Sequence, residues 1–171
     1  VTGRSDRANA HRIARYKSGK YTIERPLQLG ATLARRPDLV EPLGRYGDPL
    51  GEAFQLRDDV LGVLGDPART GKPVGDDLRE GKPTLLLAVA HERALDGSRD
   101  LLARVGDPTL DDAAISDLQR LLVDTGSVDV VEAEIEALAA RAVAALDHIA
   151  VTKAARRALR DLADFVIARD A

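Results

Sequence analysis

The chain has 171 residues, with 25 Lys and Arg against 28 Asp and Glu, and a net charge of −3. That length fits one domain with a core of its own, and the absence of Cys excludes disulfides, thiolate metal sites and a Cys nucleophile. The charge argues against nucleic acid as a partner, no apolar run approaches a membrane span, His11, His91 and His148 form no HExxH zinc motif, and the polar start (Thr2, Arg4, Ser5, Asp6, Arg7) is no signal peptide, so a cytoplasmic protein is expected.

The periodicity is helical almost throughout, and about seven helices with one busy loop are expected. Tyr16-Lys17-Ser18-Gly19-Lys20-Tyr21-Thr22 reads as a helix interrupted at Gly19 and restarted through Ile23 to Leu27. A break of that kind exposes backbone groups that phosphate oxygens can satisfy. Asp48-Pro49 reads as a helix start, with Asp48 as N-cap and Pro49 at the first helical position, and the helix should reach Leu64. Thr84 to Ala94 is a short apolar helix. Thr109 is placed to cap a helix that ends near Asp124 and Gly126. Ser127 caps the next, with Asp129 in its first turn and Val131, Ile135, Leu138, Ala142, Ala145 and Ile149 as its apolar stripe. From Thr152 to Ala168, Leu159, Leu162, Phe165 and Val166 should be buried.

The helix before Leu64 carries the first chemical signal. On a helical wheel Gln55, Asp58, Asp59 and Gly62 share a wedge of about 100°, and apolar residues cover about half of the circumference. Arg57 interrupts the apolar arc. Two carboxylates on a surface helix would simply be solvated. On a helix this apolar they need a cation or a water-filled cavity, and Mg²⁺ with its preference for a few carboxylates, waters and phosphate oxygens suits them. The second signal is the loop from Gly65 to Pro83, with two Gly-Lys pairs at Gly71-Lys72 and Gly81-Lys82. Gly lets the backbone come close and Lys gives a point charge for phosphate. It is not a Walker A loop, because Pro73 stands where Ser or Thr should be.

Lys17-Ser18, then Phe54-Gln55-Leu56-Arg57-Asp58-Asp59-Val60-Leu61-Gly62, then Thr70-Gly71-Lys72 and Gly81-Lys82 resemble, in this order, the motifs of the trans-isoprenyl diphosphate synthases, or polyprenyl synthetases. Pro26-Leu27, Gly30-Ala31 and the tail from Gly126-Ser127 to Leu146 are similar to the family as well. The resemblance implies an all-α fold, with residues 1–171 a single segment that forms the C-terminal half of an isoprenoid-synthase helical bundle whose N-terminal half is absent from the chain. It also implies Mg²⁺ as cofactor, an allylic diphosphate and isopentenyl diphosphate as substrates, and a homodimer in the full-length form. By position in the motifs, Lys17, Ser18, Gln55 and Lys72 would serve catalysis. Lys17, Lys72 and Lys82 would bind the diphosphate, and Asp58 and Asp59 the metal, with Asp76 a weaker neighbour of the site.

There are three departures. Ser18 replaces the motif's Thr, Gly62 stands where its third Asp would be, and the first Asp-rich motif and the isopentenyl diphosphate grip are missing. This segment alone is therefore expected to be inactive. The competing reading is a non-catalytic or truncated homologue acting as a partner subunit. A terpene cyclase would need Asn, Ser or Thr with Glu in its second metal motif, and a helical adaptor would give no reason for the Gly-Lys loop.

Overall fold

The computed structural model describes residues 6–65 and 75–168, and among them there is no strand. Helix α1 (Arg7–Ala14) runs without a gap into a ten-residue π-helical segment (Arg15–Glu24) and then into α2 (Arg25–Leu33). A 3₁₀ turn at Pro37–Leu39 leads into the long α3 (Val40–Leu64). Then come α4 (Asp76–Arg79), α5 (Leu85–Arg93), α6 (Asp96–Leu102), α7 (Asp112–Asp124), α8 (Ser127–Ala145), a 3₁₀ turn at Leu146–His148, and α9 (Lys153–Ala168).

The chain packs as two compact units, one built mainly from residues 11–57 and from 133 onward, the other mainly from residues 58–132. The core of the first includes Leu43, Tyr46, Leu50, Ala53 and Leu56 of α3 and Ile135, Leu138, Ala139 and Ala142 of α8. Two buried side chains of α3 tie it to α9. The Tyr46 hydroxyl donates to the Leu159 carbonyl at 2.7 Å. Arg57 Nη2 donates to the Ile167 carbonyl at 2.8 Å, so the residue that interrupts the apolar arc of α3 holds the end of α9. The core of the second unit is α5, buried from Leu85 to Ala90, with Ile115, Leu118 and Leu122 of α7, and Leu78 of α4. Gly126, in the left-handed region at φ +65°, turns the chain between α7 and α8, and Arg93 Nη1 donates to the carbonyls of Thr125 (3.0 Å) and Gly126 (3.1 Å).

Several local expectations give way to packing. The helix around Asp48-Pro49 does not begin there: α3 already starts at Val40, and Pro49 lies inside it. An interior Pro forfeits one hydrogen bond and crowds a carbonyl. Leu43, Tyr46, Pro49 and Leu50 are buried, and that burial outweighs the loss. The cap of α7 is Asp111, whose side chain accepts from the Ala114 amide at 2.8 Å, while Thr109 bonds to Asp107 instead. Of the stripe expected on α8, Val131, Ile135, Leu138, Ala142 and Ile149 are buried, while Ala145 is half-buried and Leu146, at the start of the 3₁₀ turn, takes its place in the core. On α9, Ala163 and Val166 are buried, Leu159 and Leu162 are half-buried, and Phe165 is 58% exposed. Part of the busy loop is helical: α4 occupies 76–79.

Candidate active site

The expected helix break at Gly19 is instead a π-helical stretch. Its backbone is not opened; it closes i→i−5 bonds, as in Arg25 N–H to the Lys20 carbonyl. Such wide turns are uncommon and gather at functional sites. The reason for this one lies on α3. Gly19 and Gly51 meet backbone to backbone: a Cβ on Gly19 would lie 2.9 Å from the Gly51 carbonyl carbon. Gly47, one turn earlier, packs on Glu24, where a Cβ would come within 2.8 Å of the Glu24 Cα. Three glycines of α3, Gly44, Gly47 and Gly51, therefore let the π segment and α2 lie against it. In the π segment Ser18 and Gly19 are buried, and Lys17 is exposed.

Ion pairs fix the same neighbourhood. Arg15 makes a two-pronged contact with Asp48, Nε to Oδ1 at 2.7 Å and Nη2 to Oδ2 at 2.6 Å. The Asp48 carboxylate thereby raises the Arg15 pKa further above its ordinary value. Lys20 Nζ bonds to Glu24 Oε2 at 2.9 Å and lies 3.6 Å from Asp48. His11 Nδ1 and Glu52 Oε1 are 2.7 Å apart. A cleft of about 710 Å³ runs beside these groups, with Arg15, Lys20, Glu24, Asp48, Arg141 and His148 in its walls. Asp48, taken from sequence as a helix cap, is thus an ion-pair partner of the π segment.

On α3, Gln55 is buried and Asp58 and Asp59 are half-buried. Asp58 and Gly62 are one turn apart on one face. In the second unit the neighbour of Gly62 is Asp77 of α4: a Cβ on Gly62 would strike Asp77 Oδ2 and lie 2.8 Å from Cγ. Asp77 is buried and pairs with Lys82. Lys82 also lies 3.1 Å from Glu80 Oε2. Burial alone would lower the Lys82 pKa; the two carboxylates outweigh it and raise the pKa above the ordinary lysine value. Asp76, the weaker candidate from sequence, is only loosely associated with Arg79 at 3.9 Å. Asp77, which no local pattern marked, is the carboxylate that meets α3. Lys72 and the Gly71-Lys72 pair lie outside the described residues.

Among the described residues no three His, Cys, Asp or Glu side chains converge as a preformed metal cage. The donors still fit Mg²⁺. Asp58 and Asp59 offer hard oxygens, and the space beside Gly62 is filled by the Asp77 carboxylate with its Lys82 partner. No described helix is long and apolar enough to cross a membrane.

The polyprenyl synthetase family model matches residues 4–122. The chain belongs to the polyprenyl synthetase family. Among its relatives, the geranylfarnesyl diphosphate synthase of Aeropyrum pernix is 37% identical over 169 residues, covering 96% of this chain and 51% of the relative. A geranylgeranyl pyrophosphate synthase from Corynebacterium glutamicum, solved with isoprenyl diphosphate and magnesium, superposes with a TM-score of 0.92 at 40% identity, over 96% of this chain and 47% of that one. A polyprenyl synthase from Caulobacter crescentus, solved with calcium and isoprenyl diphosphate, gives 0.87 at 32% identity, over 96% and 50%. The chain spans about half the length of the curated relatives it matches. The polyprenyl synthetase fold is all-α, as expected from the sequence.

Proposed function

We propose that this chain supplies part of the active site of a magnesium-dependent trans-prenyltransferase, which joins an allylic diphosphate to isopentenyl diphosphate and releases a longer trans-polyprenyl diphosphate of the farnesyl or geranylgeranyl kind. The observation that carries the reading is the stripe of buried Gln55 and half-buried Asp58 and Asp59 on α3, in a member of a family whose relatives are isoprenyl diphosphate synthases.

In this reaction the C1–O bond of the allylic diphosphate breaks and the electron pair leaves with inorganic diphosphate. The isopentenyl double bond then attacks C1, and a proton is lost to restore an alkene. Charge builds on the diphosphate oxygens, so the demand is for cations already in place. When bound, magnesium would supply Lewis acidity toward those oxygens. Asp58 and Asp59 would hold it, and Gln55 would hydrogen-bond within the same site. Lys17, Lys72 and Lys82 would take diphosphate oxygens, and the Ser18 hydroxyl, carried in the π segment, would add a donor. The grip on isopentenyl diphosphate and a first Asp-rich motif are expected from residues outside these 171. Homodimer assembly of the whole enzyme belongs to the same proposal.

A second reading, a partner subunit without chemistry of its own, is favoured by one observation: Gly62 removes a carboxylate from the stripe. One assay separates the two. Turnover of allylic diphosphates with isopentenyl diphosphate and magnesium is measured for the chain alone and with the N-terminal half of a related synthase in trans. The enzyme reading expects turnover in the second case. Asp58→Ala should then lower it by at least about a hundredfold, since a metal contact is worth several kcal/mol in the transition state. Near-normal turnover of Asp58→Ala would overturn the metal role. No turnover in either case favours the partner subunit.

A further inference from the structure

The side chains that reach α3 from the first helical run recur at a spacing that changes along the chain. His11 meets Glu52 and Arg15 meets Asp48, four residues apart, as an α-helix requires. The next is Lys20, five residues on, whose Nζ lies 3.6 Å from the same Asp48 carboxylate. The count changes from four to five where α1 gives way to the π segment. Burial keeps the new count. Ser18 and Ile23 are both buried, Gly19 and Glu24 are both buried, and Tyr16 and Tyr21 are 62% and 65% exposed.

A helix closed by i→i−5 bonds brings residues five apart to one side. In an α-helix the same two residues point about 140° apart. Asp48 could then hold Arg15 or Lys20, but not both. In the structure it holds both: Arg15 donates from Nε at 2.7 Å and from Nη2 at 2.6 Å, with Lys20 beside Oδ1. Lys20 also donates to Glu24 Oε2 at 2.9 Å, which ties the last residue of the segment to the same group of charges. The side chains of Lys20, Glu24 and Asp48 are 23%, 9% and 24% exposed, so water screens these contacts less than it would a surface pair. The Gly19–Gly51 contact allows the close approach, and two cations on one carboxylate fix the count.

We propose that Asp48 is a positioning residue. With Arg15 and Lys20 it holds residues 15–24 in the π register, and that register turns Lys17 outward and keeps Ser18 inside. Both residues stand between the two anchors, so a change to α bonding would rotate them away from these places. Asp48 itself touches no substrate; it acts through the backbone of the segment. This rests on the prenyltransferase reading above, in which Lys17 and Ser18 serve the substrate.

The test reads the register and the reaction separately. In the isotope-labelled chain, NMR couplings across hydrogen bonds should link the Arg25 amide to the Lys20 carbonyl. In Asp48→Asn that coupling should be lost and the Arg25 amide should bond one residue later, to Tyr21. Turnover is then measured with the N-terminal half of a related synthase in trans, and kcat of Asp48→Asn should fall about tenfold or more. Asp48→Glu should restore both, since the cleft beside Asp48 has room for one more methylene. Tyr46→Phe, which loosens the same helix without touching the anchors, should keep the coupling and kcat, so lost stability alone cannot imitate the result. The proposal fails if Asp48→Asn keeps the Arg25–Lys20 coupling, if the coupling moves while kcat holds, or if Asp48→Glu is no better than Asp48→Asn. If the unaltered pair of halves shows no turnover, the prenyltransferase reading falls, and the positioning role falls with it whatever the register does.

Discussion

Replacing Gly51 with Ala tests the contact that brings the π segment against α3. The new methyl would lie 2.6 Å from the Gly19 Cα and 2.7 Å from its carbonyl carbon, and would also strike its carbonyl oxygen. Carbon atoms in van der Waals contact sit about 3.5–4.0 Å apart, so the two backbones must separate by about 1 Å. No side chain can rotate aside, because every atom met is backbone. Overpacking of this kind costs about 3 kcal/mol at the upper end of its range. Ala is better than Gly in a helix by about 1 kcal/mol, which leaves a net loss of about 2 kcal/mol. For a chain of this size that is a fall of about 4–8 °C in the unfolding midpoint, followed by circular dichroism. Gly30 is the matched control. It sits in α2, and a methyl placed on it would meet nothing within 4 Å, so Gly30→Ala should raise the midpoint by about 2–4 °C from propensity alone. The same substitution with opposite signs at two positions depends on the close crossing and on nothing else. A Gly51→Ala variant as stable as the unaltered chain would refute the contact, and with it the explanation of the π segment.

Tyr46→Phe removes only the hydroxyl that donates to the Leu159 carbonyl, and calorimetry should find a loss of about 1 kcal/mol with the fold unchanged. Asp111→Ala should cost about 1 kcal/mol by removing the cap of α7, whereas Thr109→Ala should stay within about 0.5 kcal/mol; a reversed order in chemical denaturation would return the cap to Thr109. The raised Lys82 pKa makes an alkaline prediction. Lys82 binds its proton more tightly folded than unfolded, so its contribution to stability is fully present below the ordinary lysine value and lost as pH rises through the raised one. Denaturation of Lys82→Met beside the unaltered chain should show the difference between them shrinking only in that alkaline range, and a difference that vanishes near neutrality would count against the Asp77 pairing.

The sequence by itself determined the all-α class, the apolar character of α5, most of the apolar stripe of α8, and the stripe of Gln55, Asp58 and Asp59. Each of these is a property of one helix. Spacing of 3 and 4 residues places side chains on a face whatever the helix later packs against. Motif order did the rest for the family, because Lys17-Ser18, the acidic helix and the Gly-Lys pairs resemble its motifs in this order.

Tertiary structure decided the features for which the deciding partner is far along the chain. Gly19 reads locally as a breaker, yet it sits in a continuous helix, since Gly51 presents bare backbone to it across thirty-two residues of sequence. Asp48-Pro49 reads as a helix start, yet α3 runs through it, because burial of Tyr46 and Leu50 on the same helix outweighs the bond that Pro49 cannot make. Asp76 and Asp77 are indistinguishable in sequence. Only the pinning of α4 between Gly75 and Gly81 turns Asp77 inward to Gly62 and leaves Asp76 beside Arg79. Helical periodicity reports which side of an element is buried, but it carries no information on which residue of another element fills the space beside a glycine. That is settled by the volume left between packed backbones.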